Sequence, residues 1–546
     1  MIRAMDPDRP TDPAGPNPAH APRRGPGPGP LVDSMTMHTR RRYTPRGNPI
    51  VGPDPGTPGS RSLALLLAVV LAGVAILWQN LGHERQQALV NAPPPPPPTA
   101  QAADEPAPGG MADPMAKAFL RVRGIMAQDP NAGATLVESL EDLRASDADR
   151  VRIGVVAAEY LSDDDRAAWF AEQREALAEE VADEIGTPDD AGVAVGLADR
   201  TMVGAELDAV EAIYTNGPDT LDLAMRDQLA ARYGDIGAFA LSKGRPDAER
   251  EAIIGGPWPL VFFGLGILCV VGFGLLAGTG VLVWGMIWYF DRRTAMKCPR
   301  PEPGGSVMLE TYALFVGAFA LMAIGATVVE AHASDATMAW FGFAQLGLQW
   351  MLMLLVLWPL ARGMSMYNWR QAVGLTRGEG VLREMGCGVL VYLAGIPLYI
   401  GGVVMTVVLM TAWNWLRRKM GMGGDPAAPS NPIVDLVGSA DPLLLVLIFL
   451  LATVWAPITE ELIFRGALYR HFRARTGWLM AALGTAALFA FLHSYGPLMV
   501  TPLIVLGTVF AFMREWRGSI IAPMTAHFLH NFTMLVAMVI GLSILG

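Results

Sequence analysis

Three cysteines in 546 residues leave this chain without a disulfide framework or a CxxC metal pair. Cys269, Cys298 and Cys387 fall in or beside long apolar runs, where they read as packing residues. There is no HExxH, the usual zinc-protease signature. A uniformly basic surface is missing too. The formal charge is −10, which excludes a nucleic-acid-binding face spread over the whole chain. The span pattern does not repeat between the two halves, as it would in a repeat-built transporter.

Hydrophobic residues are abundant, 52% of the chain, and they come in blocks. A bilayer-crossing helix needs about 20 residues. Nine stretches meet that length, near 62–81, 257–289, 308–329, 340–361, 387–413, 441–464, 477–494, 497–513 and 520–545. The predicted fold class is all-α, a polytopic transmembrane bundle of about nine spans. The last eight, in 257–546, form one membrane domain. The charge is divided unevenly. Residues 101–250 hold 31 Asp/Glu and 14 Lys/Arg, a local −17, so the remainder carries −10 + 17 = +7.

Residues 1–60 are rich in Pro, Gly and Arg and read as a disordered tail. Leu63–Trp78 starts too far from Met1 to be a signal peptide, and 62–81 reads as an uncleaved anchor. A true start near Met35 or Met37 would leave the topology unchanged. Pro93–Pro98 makes 82–112 a stiff linker of about 3.1 Å per residue. Residues 113–250 have few β-branched runs and show helical apolar spacing in Ser162–Glu180 and Asp219–Tyr233. Turn signals follow at Thr187-Pro188 and Asn216-Gly217-Pro218. This segment is expected to be an acidic extramembrane helical domain that binds a protein partner or substrate.

Basic residues set the topology. Arg292, Arg293, Lys297 and Arg300, then Arg370, Arg377 and Arg383, then Arg470, Arg473 and Arg475, then Arg514 and Arg517 fall on one side. By the positive-inside rule that side is cytoplasmic, the N-terminus lies there and the acidic domain lies opposite. Arg417-Arg418-Lys419 breaks the pattern. The expected location is the membrane itself, multi-pass, and the plasma membrane in a prokaryote.

Ionisable groups near the middle of a membrane helix cost at least about 2.5 kcal/mol each on insertion scales. This chain nevertheless keeps Glu460, Glu461, Arg465, His493, His527, His530 and Asn531 in its last hundred residues. Glu461 and Arg465 are four apart and share a helix face, as do Phe489 and His493, and His527 and Asn531. With a turn near Arg475–Gly477, Glu461 and His493 lie about 21 and 27 Å along their helices, and His527 about 14 Å past Gly518. Three helices thus offer acid, base and donor groups to one region. A carboxylate pair in low dielectric suits a general base, and an ion pair of Glu461 with Arg465 is the purely structural alternative.

The ordered set E-E-x-x-x-R (Glu460, Glu461, Arg465), F-x-x-x-H (Phe489, His493) and H-x-x-x-N (His527, Asn531) resembles the CPBP family of CAAX prenyl proteases and Abi-type proteins. The resemblance is firm over about 440–546 and looser over 257–440, and it does not reach 1–250. It implies an eight-helix intramembrane glutamic endopeptidase that uses no cofactor. Glu460 or Glu461 would activate a water with help from His493, while Arg465 orients the carboxylates. His527 and Asn531 would stabilise the oxyanion. Expected partners are membrane lipids and a protein or peptide substrate, lipidated or not, with no nucleic acid. Two alternatives stand beside it. One is a zinc hydrolase using a glutamate, His493 and His527. The other is a catalytically silent membrane scaffold or immunity protein.

Overall fold

The computed structural model describes residues 42–43, 49–50, 53–81, 112–126, 130–141, 143–144, 146–185, 191–291, 295–332, 335–420, 437, 442–493, 495–496 and 498–545. Most of the 1–60 tail, the proline run and the turn at 187–188 lie outside these residues. In the unit formed by residues 1–52, β1 (Arg42–Tyr43) pairs antiparallel with β2 (Pro49–Ile50), Arg42 opposite Ile50. The unit formed by residues 53–546 is built from helices, as the apolar periodicity predicts.

Among the described residues, seven helices are long and apolar enough to cross a membrane. They are α1 (Pro58–Gln79), α9 (Trp258–Phe290), α10 (Val307–His332), the stretch Trp340–Ala361 beginning in α11 (Asp335–Leu352), α13 (Val381–Lys419), α14 (Pro442–Arg473) and α17 (Ile521–Leu545). The short α12 (Met366–Val373) precedes α13. The other two expected spans are α15 (Trp478–Phe491) and α16 (Thr501–Arg517), with 14 and 17 residues. At 1.5 Å per residue they measure about 21 and 26 Å, short of a hydrocarbon core about 30 Å thick. The breaks that end them put His493 and Gly518 beyond the helix ends. Arg417–Lys419, the outlier in the charge pattern, is the last turn of the 39-residue α13. A helix of that length, about 58 Å, extends well beyond a bilayer.

The acidic segment folds as α2 (Ala112–Met126), α3 (Pro130–Glu141), α4 (Ala148–Tyr160), α5 (Asp163–Ile185), α6 (Ala191–Asn216), α7 (Leu223–Leu241) and α8 (Asp247–Ile254). Helix α4 is buried from Ala148 to Ala158, and its neighbours pack around it in a separate apolar core. Arg121 of α2 donates to the Ile254 and Ile544 carbonyls, joining this core to the end of α17.

Helix α1 packs along α10 through the buried stripe Ala64, Ala68, Ala72 and Ala75. At Gly317 of α10 a Cβ would lie 2.9 Å from Leu71 Cδ1, so glycine allows the approach. Before α1, Asp54 pairs with Arg470 of α14 at 2.9 Å, and Ser60 hydrogen-bonds Ser306 at 2.8 Å. The segment 62–81, which composition marks only as an anchor, is thereby tied to the helix of the glutamates. Pro397 inside α13 leaves the Leu393 carbonyl without its helical donor. Gly278 of α9 packs over that carbonyl, where a Cβ would approach within 2.3 Å. Among the described residues, several of the basic side chains that set the topology are held in ion pairs, as Arg470 is by Asp54. Arg517 bridges Glu384 and Glu379, Lys297 also pairs with Glu379, and Arg473 pairs with Glu515.

Candidate active site

Helix α14 leaves the α register twice, at Leu451–Trp455 and Glu461–Leu468, where its turns are π-type. Such turns often mark functional sites. In the first, the Ala456 N–H reaches back five residues to the Leu451 carbonyl. The next carbonyl, Ala452, would take the N–H of residue 457, but Pro457 has none. Asn531 of α17 supplies it, its Nδ2 donating to the Ala452 oxygen at 2.7 Å.

The second π-type stretch carries the charged pair. Arg465 Nη1 donates to Glu461 Oε1 at 2.9 Å, with both side chains fully buried. Arg465 Nη2 donates to the Gly507 carbonyl at 3.3 Å. A Cβ at Gly507 would lie 3.0 Å from that nitrogen, so glycine makes room for the guanidinium. The rings of Phe489, Phe510 and Phe464 surround it, with centroids 4.5, 5.3 and 6.0 Å away. In a water-poor setting this cation–π contact partly replaces lost hydration.

His527 links the two carboxylates. Its Nδ1 lies 3.0 Å from Glu461 Oε1 and its Nε2 3.8 Å from Glu460 Oε2. Phe510 stacks on its ring at 5.3 Å. Glu460 differs from its neighbour, for its side chain is 17% exposed and that of Glu461 0%. The predicted groups therefore assemble unevenly. Glu460, Glu461, Arg465 and His527 converge directly. His493 sits against Phe489, ring to ring at 4.8 Å, with Nδ1 2.8 Å from the Phe489 carbonyl. A carbonyl only accepts, so Nδ1 carries the proton and, in the neutral ring, Nε2 is an acceptor. No hydrogen bond joins His493 to either glutamate among the described residues. Asn531 reaches the site through the Ala452 turn. His530 packs against Tyr392 and Tyr399. Phe510, Gly507 and Ala452 carry no motif of their own and were not legible in the sequence. Among the described residues no group of three or more His, Cys, Asp or Glu side chains is placed to hold a metal ion.

These apolar helices make the protein an integral, multi-pass membrane protein. Residues 442–533, which carry Glu460, Glu461, Arg465, His493, His527 and Asn531, match the Rce1-like family, described as type II CAAX prenyl endopeptidase Rce1-like. The chain is also 30% identical over 205 residues to an uncharacterized 24.3 kDa protein of Escherichia coli, an alignment covering 33% of this chain and 91% of that protein. No solved structure matches the chain. The chain belongs to the CPBP family, and at family level it is a CAAX-protease-like intramembrane endopeptidase.

Proposed function

We propose that the protein hydrolyses peptide bonds by glutamate-activated water, with Glu460 as the base. The observation that carries this reading is the shared imidazole, with His527 between a carboxylate neutralised by Arg465 and one that is not. Glu461 is fully enclosed and held by Arg465 and His527, which suits it to orientation. Glu460 is partly open and pairs with no arginine among the described residues, which suits it to proton transfer.

In this mechanism Glu460 takes a proton from water as the oxygen attacks the substrate carbonyl. The tetrahedral oxyanion is met by Nε2–H of His527 in its doubly protonated form, whose Nδ1–H goes to Glu461, and by the second amide N–H of Asn531. Glu460 then returns the proton to the leaving nitrogen as the C–N bond breaks. His493 Nε2 can accept from the same water. The substrate is a membrane-associated protein or peptide, lipidated or not, and the host membrane is the cytoplasmic one, with the N-terminus and basic end cytoplasmic by charge. The acidic domain, on the other side, is the docking element for a protein partner.

The test is cleavage of a fluorogenic peptide library by detergent-purified protein, with and without chelator. Cleavage that is lost in Glu460→Gln and indifferent to chelator supports the reading. Chelator-sensitive cleavage restored by zinc would move the assignment to a metal hydrolase. The fully buried Glu461–Arg465 pair also suits a scaffold. A cellular phenotype that survives Glu460→Gln/Glu461→Gln but not removal of 101–250 would favour that role.

A further inference from the structure

Helix α13 carries a repeat on one face, Gly388, Tyr392, Gly395, Tyr399, Gly402 and Thr406, in alternating steps of four and three residues. That spacing makes a straight seam against neighbouring helices. The glycines allow close approach. A Cβ would come within 2.5 Å of the Ala522 carbonyl at Gly388, 3.3 Å of Val509 at Gly395 and 2.9 Å of Pro502 at Gly402. The face therefore looks into the junction with α16 and α17. Between the glycines it places two phenols and a hydroxyl seven residues apart, at membrane depth.

His530 of α17 meets both phenols edge to face, with ring centroids 6.2 Å from Tyr392 and 5.2 Å from Tyr399. It is one turn from His527 on the same helix. Tyr392 and Tyr399 also pack on the cluster of Phe510, whose ring stacks on His527. At the other end Tyr399 lies in the neighbourhood of Tyr495, which stacks on His493 at 6.1 Å. Thr406 Oγ1 is buried with no hydrogen-bond partner among the described residues. Buried polar atoms in native folds normally find a partner, in the protein or in ordered water.

We propose that this seam is a water route, lined by Tyr392, Tyr399 and Thr406 of α13 and His530 of α17, leading from the loop at Tyr495 to His527 and the carboxylates. Each peptide bond hydrolysed consumes one water, while Phe464, Phe489 and Phe510 wall the site with apolar rings. A row of hydroxyl and imidazole groups gives water successive partners where lipid-facing residues give none. The delivery role rests on the hydrolase reading above, but the presence of water in the seam does not.

The test has two arms on the full chain in lipid nanodiscs. Millisecond hydroxyl-radical footprinting reads water beside aromatic rings. Tyr392 and Tyr399 should be oxidised comparably to the exposed Tyr367, while Tyr233, buried in the acidic domain, stays unmodified. In the second arm, Tyr399→Phe/His530→Phe keeps an aromatic ring at each position, a phenyl replacing the imidazole at 530, but removes the polar atoms. It should lower kcat several-fold at unchanged KM, with wild-type thermal stability. Unlabelled Tyr392 and Tyr399 would overturn the proposal, and so would a double variant with wild-type kcat. If no form of the protein cleaves any peptide, the hydrolase reading fails, and the footprint still decides whether the seam holds water.

Discussion

The side-chain amide of Asn531 donates to the Ala452 carbonyl at 2.7 Å, in the place of the N–H that Pro457 lacks. The third motif thus holds the register of the first. Pro457, the π-type turn and Asn531 work as one unit, and the glutamates follow directly in the same helix. Asn531→Ala removes the donor and leaves a carbonyl unpaired, at a cost of about 1–3 kcal/mol. The expected result is a lower melting temperature in detergent together with lost activity. Asn531→Asp should lose at least as much, because an ionised carboxylate cannot donate to a carbonyl.

The Arg465–Glu461 pair predicts non-additivity. Arg465→Met alone strands a buried carboxylate, and Glu461→Gln alone strands a buried guanidinium. Each single change should destabilise by about 3–5 kcal/mol. The double variant removes both charges of the pair and should melt above either single variant, though without wild-type activity. Thermal unfolding of the four proteins in one detergent closes the cycle.

The Asp54–Arg470 pair sets a boundary for truncation. Both side chains are 8% exposed, and Arg470 lies in the same helix as Glu461. Removing residues 1–52 should leave melting and cleavage near wild type. Asp54→Asn should lower the melting point, since breaking a buried pair costs about 3–5 kcal/mol. Differential scanning fluorimetry of the two forms separates these outcomes.

Low pH should loosen the basic end of the bundle. Hydrogen bonds from Lys297 and then Arg517 hold the Glu379 carboxyl down to about 2, from an ordinary 4.5. A depressed carboxylate contributes its stability above the unfolded value and loses it as pH falls through the folded one. The stability advantage of wild type over Glu379→Gln should therefore be full above about pH 5 and vanish as pH falls from there towards 2. Melting curves across that range check the sign. Partial exposure of Glu379 keeps the difference small.

The all-helical membrane architecture was legible because long apolar runs leave helices as the simplest way to satisfy the backbone. The i, i+4 pairing of Glu461 with Arg465 was legible for the same local reason. What the sequence hid is tertiary. The π-type register depends on a donor 79 positions away, and nothing around Ala452 announces it. The His493 position turns on the break after Phe491, which leaves its ring on Phe489 with no bond to the glutamates. Helix α1 reads as an anchor by composition, because its alanine stripe acquires meaning only beside Gly317. The Gly/Tyr seam of α13 is periodic in the sequence, but its polar members stand out only once His530 is seen between them.

The most direct measurement compares Glu460→Gln with Glu461→Gln, reading kcat and melting temperature on the same preparations. The account predicts that Glu460→Gln folds and melts like wild type while kcat falls by about 10²–10⁴, the usual worth of a general base. Glu461→Gln should lose melting temperature as well as activity. Cleavage at the wild-type rate by a well-folded Glu460→Gln protein would contradict the account.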